Sequence, residues 1–165
     1  MGNDACRPEA NQLRVQAARH LLNPALDGSE LVDAGVAALL AGDESPEIVE
    51  LAGMRRDDGP LAIRAMVGRA LRRYGAAVES KAEAAMVLTR HALAQFMTEN
   101  RDAMDTASEI GCYSRWLPAD LEAAGRLDVM CATYDELEPR DPRRAEIAHE
   151  AFVELAMLAA QLDVA

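Results

Sequence analysis

The chain has 165 residues and a formal net charge of −11, with half of its residues apolar and only 4% aromatic. That length suits one ordinary domain, and a surface of that sign repels phosphate, which excludes direct nucleic-acid binding as an expected role. The apolar residues are mainly Ala, Leu, Val and Met, with little Ile and no clean two-residue alternation, so the expected class is all-α, one domain over 1–165.

The opening MGNDACRPEANQL lacks the apolar segment of a secretory signal, and no run approaches the roughly 18 apolar residues of a membrane span. Cys6, Cys112 and Cys131 are odd in number and widely spaced, with no C-x-x-C, as expected of a reducing compartment. A cytoplasmic location follows as the expectation. Residues 1–7 are expected to fray.

Pro8 suits the first turn of a helix, where its missing N–H has no partner to lose. Leu13, Ala17, Ala18, Leu21 and Leu22 trace its apolar seam, and Asn23-Pro24 stops it. Ser29 reads as the N-cap of a second helix, with Val32, Val36, Leu39 and Leu40 inward and Gly42 just past its end. Ser45-Pro46-Glu47 opens a short third helix ending at Gly53, with Ile48, Val49, Leu51 and Ala52 inward. After Asp57-Asp58-Gly59-Pro60 a fourth helix carries Ile63, Met66, Val67, Ala70, Leu71 and Tyr74 to Gly75. Its polar face holds Arg64, Arg69, Arg72 and Arg73.

The central stretch is Ser80–Asn100. Ser80 and Glu83 form a capping box, and Ala82, Ala85, Met86, Thr89, Ala92, Leu93, Phe96 and Met97 recur at helical spacing. Thr106 and Glu109 offer a second capping box, so the next helix is expected to start at Asp102 or afresh at Thr106. Residues 119–138 suggest two short helices jointed near Gly125. A last helix after Asp141-Pro142 has Ile147, Ala148, Ala151, Phe152, Leu155, Ala156, Ala159 and Leu162 as its seam. The total is seven or eight helices, several too short to stand without tertiary packing.

No catalytic or cofactor motif is present: no G-x-x-x-x-G-K-[ST], no G-x-G-x-x-G, no H-E-x-x-H. Glu146 and His149 form an E-x-x-H, but di-iron bundle sites need a second such pair, and neither His20 nor His91 has an acid three residues before it. No metal or cofactor is therefore expected. Cys112 and Cys131 sit in apolar helical context and read as core. The methionines read mostly as core filler, and His91 as a helix-flank residue.

At Ser45–Gly53 (SPEIVELAG), followed by a helix ending ALRRYG at Ala70–Gly75, the chain resembles a loose group of small, Ala/Arg-rich, all-helical actinobacterial proteins. Ala107-Ser108-Glu109-Ile110 and Asp141–Ile147 look similar too, while Tyr74-Gly75 departs from the group's Leu-Gly. Proteins of this look are mostly uncharacterised and some sit beside toxin genes. The resemblance implies no catalytic residue.

The charge is uneven: net −2 over residues 1–75 and −9 over 76–165. Trp116, the only Trp, stands with Tyr113 among acids, and such an aromatic with a charged rim suits a partner-binding surface. The leading expectation is a non-enzymatic, immunity-type inhibitor of a basic toxin or effector. Glu99, Asp102, Asp105, Glu109 and Asp120 would form its rim, and Tyr113 and Trp116 its anchor. The alternative is a small-molecule-binding protein or cofactor-free enzyme with a Met-lined pocket between the central and final helices. An oligomeric scaffold is a third possibility.

Overall fold

The computed structural model describes residues 8–164. The expected fraying of residues 1–7, and Cys6 with it, lies outside them. Among the described residues there are eight α-helices and no strand: α1 Pro8–Leu22, α2 Ser29–Leu40, α3 Pro46–Ala52, α4 Pro60–Arg73, α5 Lys81–Glu99, α6 Ala103–Gly111, α7 Glu122–Glu136 and α8 Arg143–Gln161. Short 3-10 turns lie at Arg56–Asp58 and Ser114–Trp116. No described helix is long and apolar enough to cross a membrane.

The chain divides into two units, Met1–Ala84 and Ala85–Ala165, where the sequence reads as one domain. The buried side chains form two matching clusters. The division falls inside α5, whose start is set by the expected reciprocal box. The Glu83 amide donates to Ser80 Oγ at 3.1 Å, and the Ser80 amide donates to Glu83 Oε2 at 3.2 Å. Ala85, Thr89, Ala92, Leu93 and Phe96 are buried as the seam requires, whereas Ala82 and Met97 are exposed. Ala84, Val87 and Leu88 are buried as well, so burial extends beyond one stripe.

In the first unit, α2 approaches α4 and α3 closely at two positions that lack a side chain. A Cβ at Gly28 would stand 2.5 Å from Ile63 Cδ1, and one at Gly35 would stand 2.7 Å from Leu51 Cγ on α3. Ser29 is not the N-cap of α2; Gly28 holds that position with no side-chain cap. Asp27 Oδ1 instead accepts from both the Ser29 amide and its hydroxyl. Leu13, Leu31, Ile48, Leu51, Ile63 and Leu71 are fully buried. Val36, Leu40 and Val49, expected inward, are exposed. Gly42 closes α2 at φ 94° and Gly75 follows α4 at φ 64°, left-handed conformations that glycine adopts without a Cβ penalty.

In the second unit, Phe96, Ile110, Leu127, Leu155 and Leu158 lie in one core with a stripe of alanines. Asp102, not Thr106, caps α6: its Oδ1 accepts from the Met104 and Asp105 amides at 2.8 and 3.1 Å. Thr106 lies one turn inside, its hydroxyl donating to the Asp102 carbonyl. α7 is one continuous helix. Gly125 sits on its exposed side, where its helix penalty of about 1 kcal/mol is offset by packing of Ala123, Ala124 and Leu127. Arg126 clamps α7 to α8 through paired bonds to Glu154 at 3.0 and 2.9 Å. Phe152 is 52% exposed, held edge-on to Phe96 with centroids 5.4 Å apart.

Candidate ligand cleft at His20

The expected partner site is only partly assembled. Glu109 and Tyr113 meet: the Tyr113 hydroxyl donates to Glu109 Oε1 at 3.2 Å, and Arg101 binds Glu109 Oε2 at 2.5 Å. That guanidinium neutralises the carboxylate. Asp102 faces the amides of its own helix as the α6 cap. Glu99, Asp105 and Asp120 are exposed. Trp116 is half-buried in its 3-10 turn, with the Arg115 guanidinium 4.1 Å from the ring centroid. A cation on the indole face opposes the negative surround expected there.

Of the two thiols expected in the core, Cys131 packs against it and Cys112 does not. Cys112 is exposed at the end of α6. Cys131 is half-buried, and burial first, then Asp135 and Asp128, push its thiol up to about 11. So high a pKa disfavours the nucleophilic thiolate at neutral pH. Met97 and Met157 are exposed instead of filling the core. Glu146 and His149 are both exposed on α8, and no group of three metal-ligating side chains gathers among the described residues.

A different site lies wholly within the first unit. It is a cleft of about 330 Å³ whose floor is α1 and α4, with Leu31 of α2 behind them and residues 77–79 along one side. The wall at 77–79 exists because Gly75 turns left-handed after α4. The Ala76 amide then bonds back to the Leu71 carbonyl at 2.9 Å, folding the chain along the helix it has just left. The floor residues Leu31, Val67 and Leu71 are buried, while Pro24, Arg72 and Glu79 at the mouth are exposed.

His20 stands in this floor at 1% exposure. Neither ring nitrogen has a hydrogen-bond partner among the described residues. A buried polar group in that condition costs about 1–3 kcal/mol. Burial, and then the Arg64 charge, lower the imidazole pKa from its ordinary 6.5, with Glu30 and Asp27 pulling the other way. The ring is therefore neutral at pH 7, with one N–H donor and one bare acceptor. Arg64 is fixed beside it, its Nη2 donating to the Pro24 carbonyl at 2.7 Å, while its buried Nε also lacks a partner.

Arg72 supplies a second guanidinium. A Cβ at Gly68 would find only Arg72 Nη1 and Nη2, at 3.6 and 4.0 Å, so the Arg72 side chain lies back along α4 over the bare Gly68 backbone. The polar face of α4 is thus divided. Arg69 and Arg73 pair with Glu50 and Glu47 of α3 at 3.2 and 3.7 Å, whereas Arg64 and Arg72 line the cleft.

No protein-family model matches the chain, and neither curated proteins nor solved structures give a match.

The cleft is not the Met-lined pocket expected between the central and final helices. Where Met97 and Phe152 do line a recess, with Phe96 and Asn100–Ala103, no buried unpartnered polar side chain accompanies them among the described residues. Nothing in the helical pattern singles out His20, Arg64 and Arg72 together as ligand-facing residues. One signal was available: His20 falls seven residues after Leu13 and three after Ala17, which puts an ionisable ring on an apolar seam.

Proposed function

We propose that the chain is a small-molecule-binding protein working through the cleft between α1 and α4. The observation that supports this most is His20, buried in an apolar floor with both ring nitrogens lacking partners beside an arginine Nε in the same state. Buried polar atoms are almost always satisfied, and a cleft is where a ligand supplies the missing partners. The volume falls at the lower end of ligand sites, which span about 300–1,000 Å³.

A blocking variant tests this. In Gly68→Leu the new side chain starts at a lining position where only the Arg72 guanidinium stands within 4 Å, so it enters the cleft without displacing a neighbouring helix. A fragment library screened by ligand-observed NMR is expected to give binders of the wild type that Gly68→Leu rejects. If no fragment binds, or binders fail to distinguish the two proteins, the reading falls.

A second reading keeps the expected inhibitor of a basic protein, and the exposure of Glu99, Asp105 and Asp120 favours it. Affinity purification from the native host supplies the candidate partner. Reversing those three acids to Lys is expected to slow its association and flatten the salt dependence; unchanged kinetics would remove this reading.

A further inference from the structure

Resting on the small-molecule reading, the geometry points to a specific ligand class: a small monocarboxylate with an uncharged apolar body, its carboxylate held by Arg64 and Arg72 and its body lying over Leu21, Val67 and Val78.

Charge balance selects the anion. Arg64 and Arg72 contribute two positive charges to the cleft, Glu79 at the mouth contributes one negative, and His20 contributes none at neutral pH. Among the lining residues the surplus is a single positive charge, and Asp27 and Glu30, which act on His20 from outside the lining, add negative charge. The cleft therefore takes at most one negative charge from a ligand, and a dianionic phosphate ester would leave an excess beside Glu79. A cation would be repelled by the two guanidinium groups. Carboxylate also matches guanidinium in shape, because its two oxygens accept two parallel N–H bonds.

The unpartnered atoms fix the orientation. Arg64 Nη2 donates to the Pro24 carbonyl, which tethers the guanidinium at the cleft, and its buried Nε has no partner among the described residues. The N–H of neutral His20 is a second donor in the same floor. Arg72, lying over Gly68, is a third donor group nearer the mouth. A Cβ at Gly68 would meet the Arg72 guanidinium at ordinary van der Waals distance, so the guanidinium packs directly against this turn of α4. The apolar wall excludes a second charged group on the ligand, since that group would be desolvated without a partner.

An isosteric series tests the class. Cyclohexanecarboxylate, cyclohexanecarboxamide and cyclohexylmethylamine are titrated into the full chain by calorimetry, with chemical-shift mapping to locate each. The carboxylate is expected to bind at residues around His20 and Gly68, about tenfold or more tighter than the amide, as hydrogen bonds to charged groups require, and the amine not at all. Arg72→Gln, at an exposed position that leaves the fold intact, is expected to remove most of that preference, and Arg72→Lys to restore part of it. If carboxylate and amide bind the cleft equally, or Arg72→Gln leaves the ratio unchanged, the carboxylate assignment is wrong while small-molecule binding stands. If none of the three perturbs the cleft and the fragment screen is also empty, both fall.

Discussion

Replacing His20 with Leu separates a side chain kept for binding from one kept for packing. The ring is 1% exposed and its two nitrogens have no partner among the described residues, so folding without ligand leaves polar atoms desolvated at a cost of about 1–3 kcal/mol. Leu has similar volume and no polar atom. Imperfect repacking of a swap of that kind costs less than about 1.5 kcal/mol. The expected net result near neutral pH is a gain of about 1 kcal/mol in unfolding free energy. The pH dependence supplies an independent sign. His20 has a folded pKa below its ordinary 6.5, because burial and Arg64 oppose protonation more than Glu30 and Asp27 favour it. Between the folded value and 6.5 the unfolded chain therefore binds more protons. This contribution is fully present above pH 6.5 and is lost as pH falls from there through the folded pKa. The Leu variant lacks that loss, so its advantage over the wild type grows on acidification, and carboxylate titrations common to both proteins cancel in the difference. Urea unfolding followed by far-UV circular dichroism at pH 7.5, 6.5 and 5.5 measures it. Fluorescence does not serve, since the only Trp, Trp116, belongs to the other unit. A Leu variant destabilised by more than about 2 kcal/mol, or one whose pH profile runs parallel to the wild type, would refute the reasoning.

Three further outcomes are expected in the second unit. Asp102→Ala removes both cap bonds of α6 and is expected to cost about 1 kcal/mol in urea unfolding, with Asp102→Asn losing less. Gly111→Ala would drive a Cβ to 3.0 Å from the Asp128 Cα, a backbone atom that cannot rotate away, so a loss of about 1–3 kcal/mol is expected in the same assay. Under an aromatic disulfide reagent near pH 7.5, Cys112 is expected to react before Cys131, since Cys112 is exposed and the Cys131 thiol is held up to about 11; peptide mapping of the labelled chain reads the order of these two.

What the sequence made legible depended on residues close together along the chain. Ser80 and Glu83 announce the start of α5 because a capping box needs only residues three apart, and Gly42 and Gly75 announce helix ends for an equally local reason. The all-α class and the helix count follow from the same local signals. The α6 start was ambiguous because Asp102 and Thr106 are both competent caps. The choice turned on Thr106 being buried, which is a tertiary fact. The cleft was invisible because it joins His20 and Leu21 with Arg64, Val67 and residues 77–79, separated by up to about sixty positions, and periodicity carries no information about empty space. At Trp116 the structure adds one contact that a charge count along the segment does not contain, the Arg115 guanidinium stacked on the ring.

If a ligand completes the cleft, the imidazole of His20 must sense it. Nitrogen-15 spectra of the ring, recorded at neutral pH before and after saturating cyclohexanecarboxylate, test this most directly. The ring is expected to be neutral at the start and, with the carboxylate, to show a saturable downfield move of its N–H proton as a hydrogen bond forms, absent in Gly68→Leu. Ring signals that stay fixed in the wild type at every concentration would contradict it.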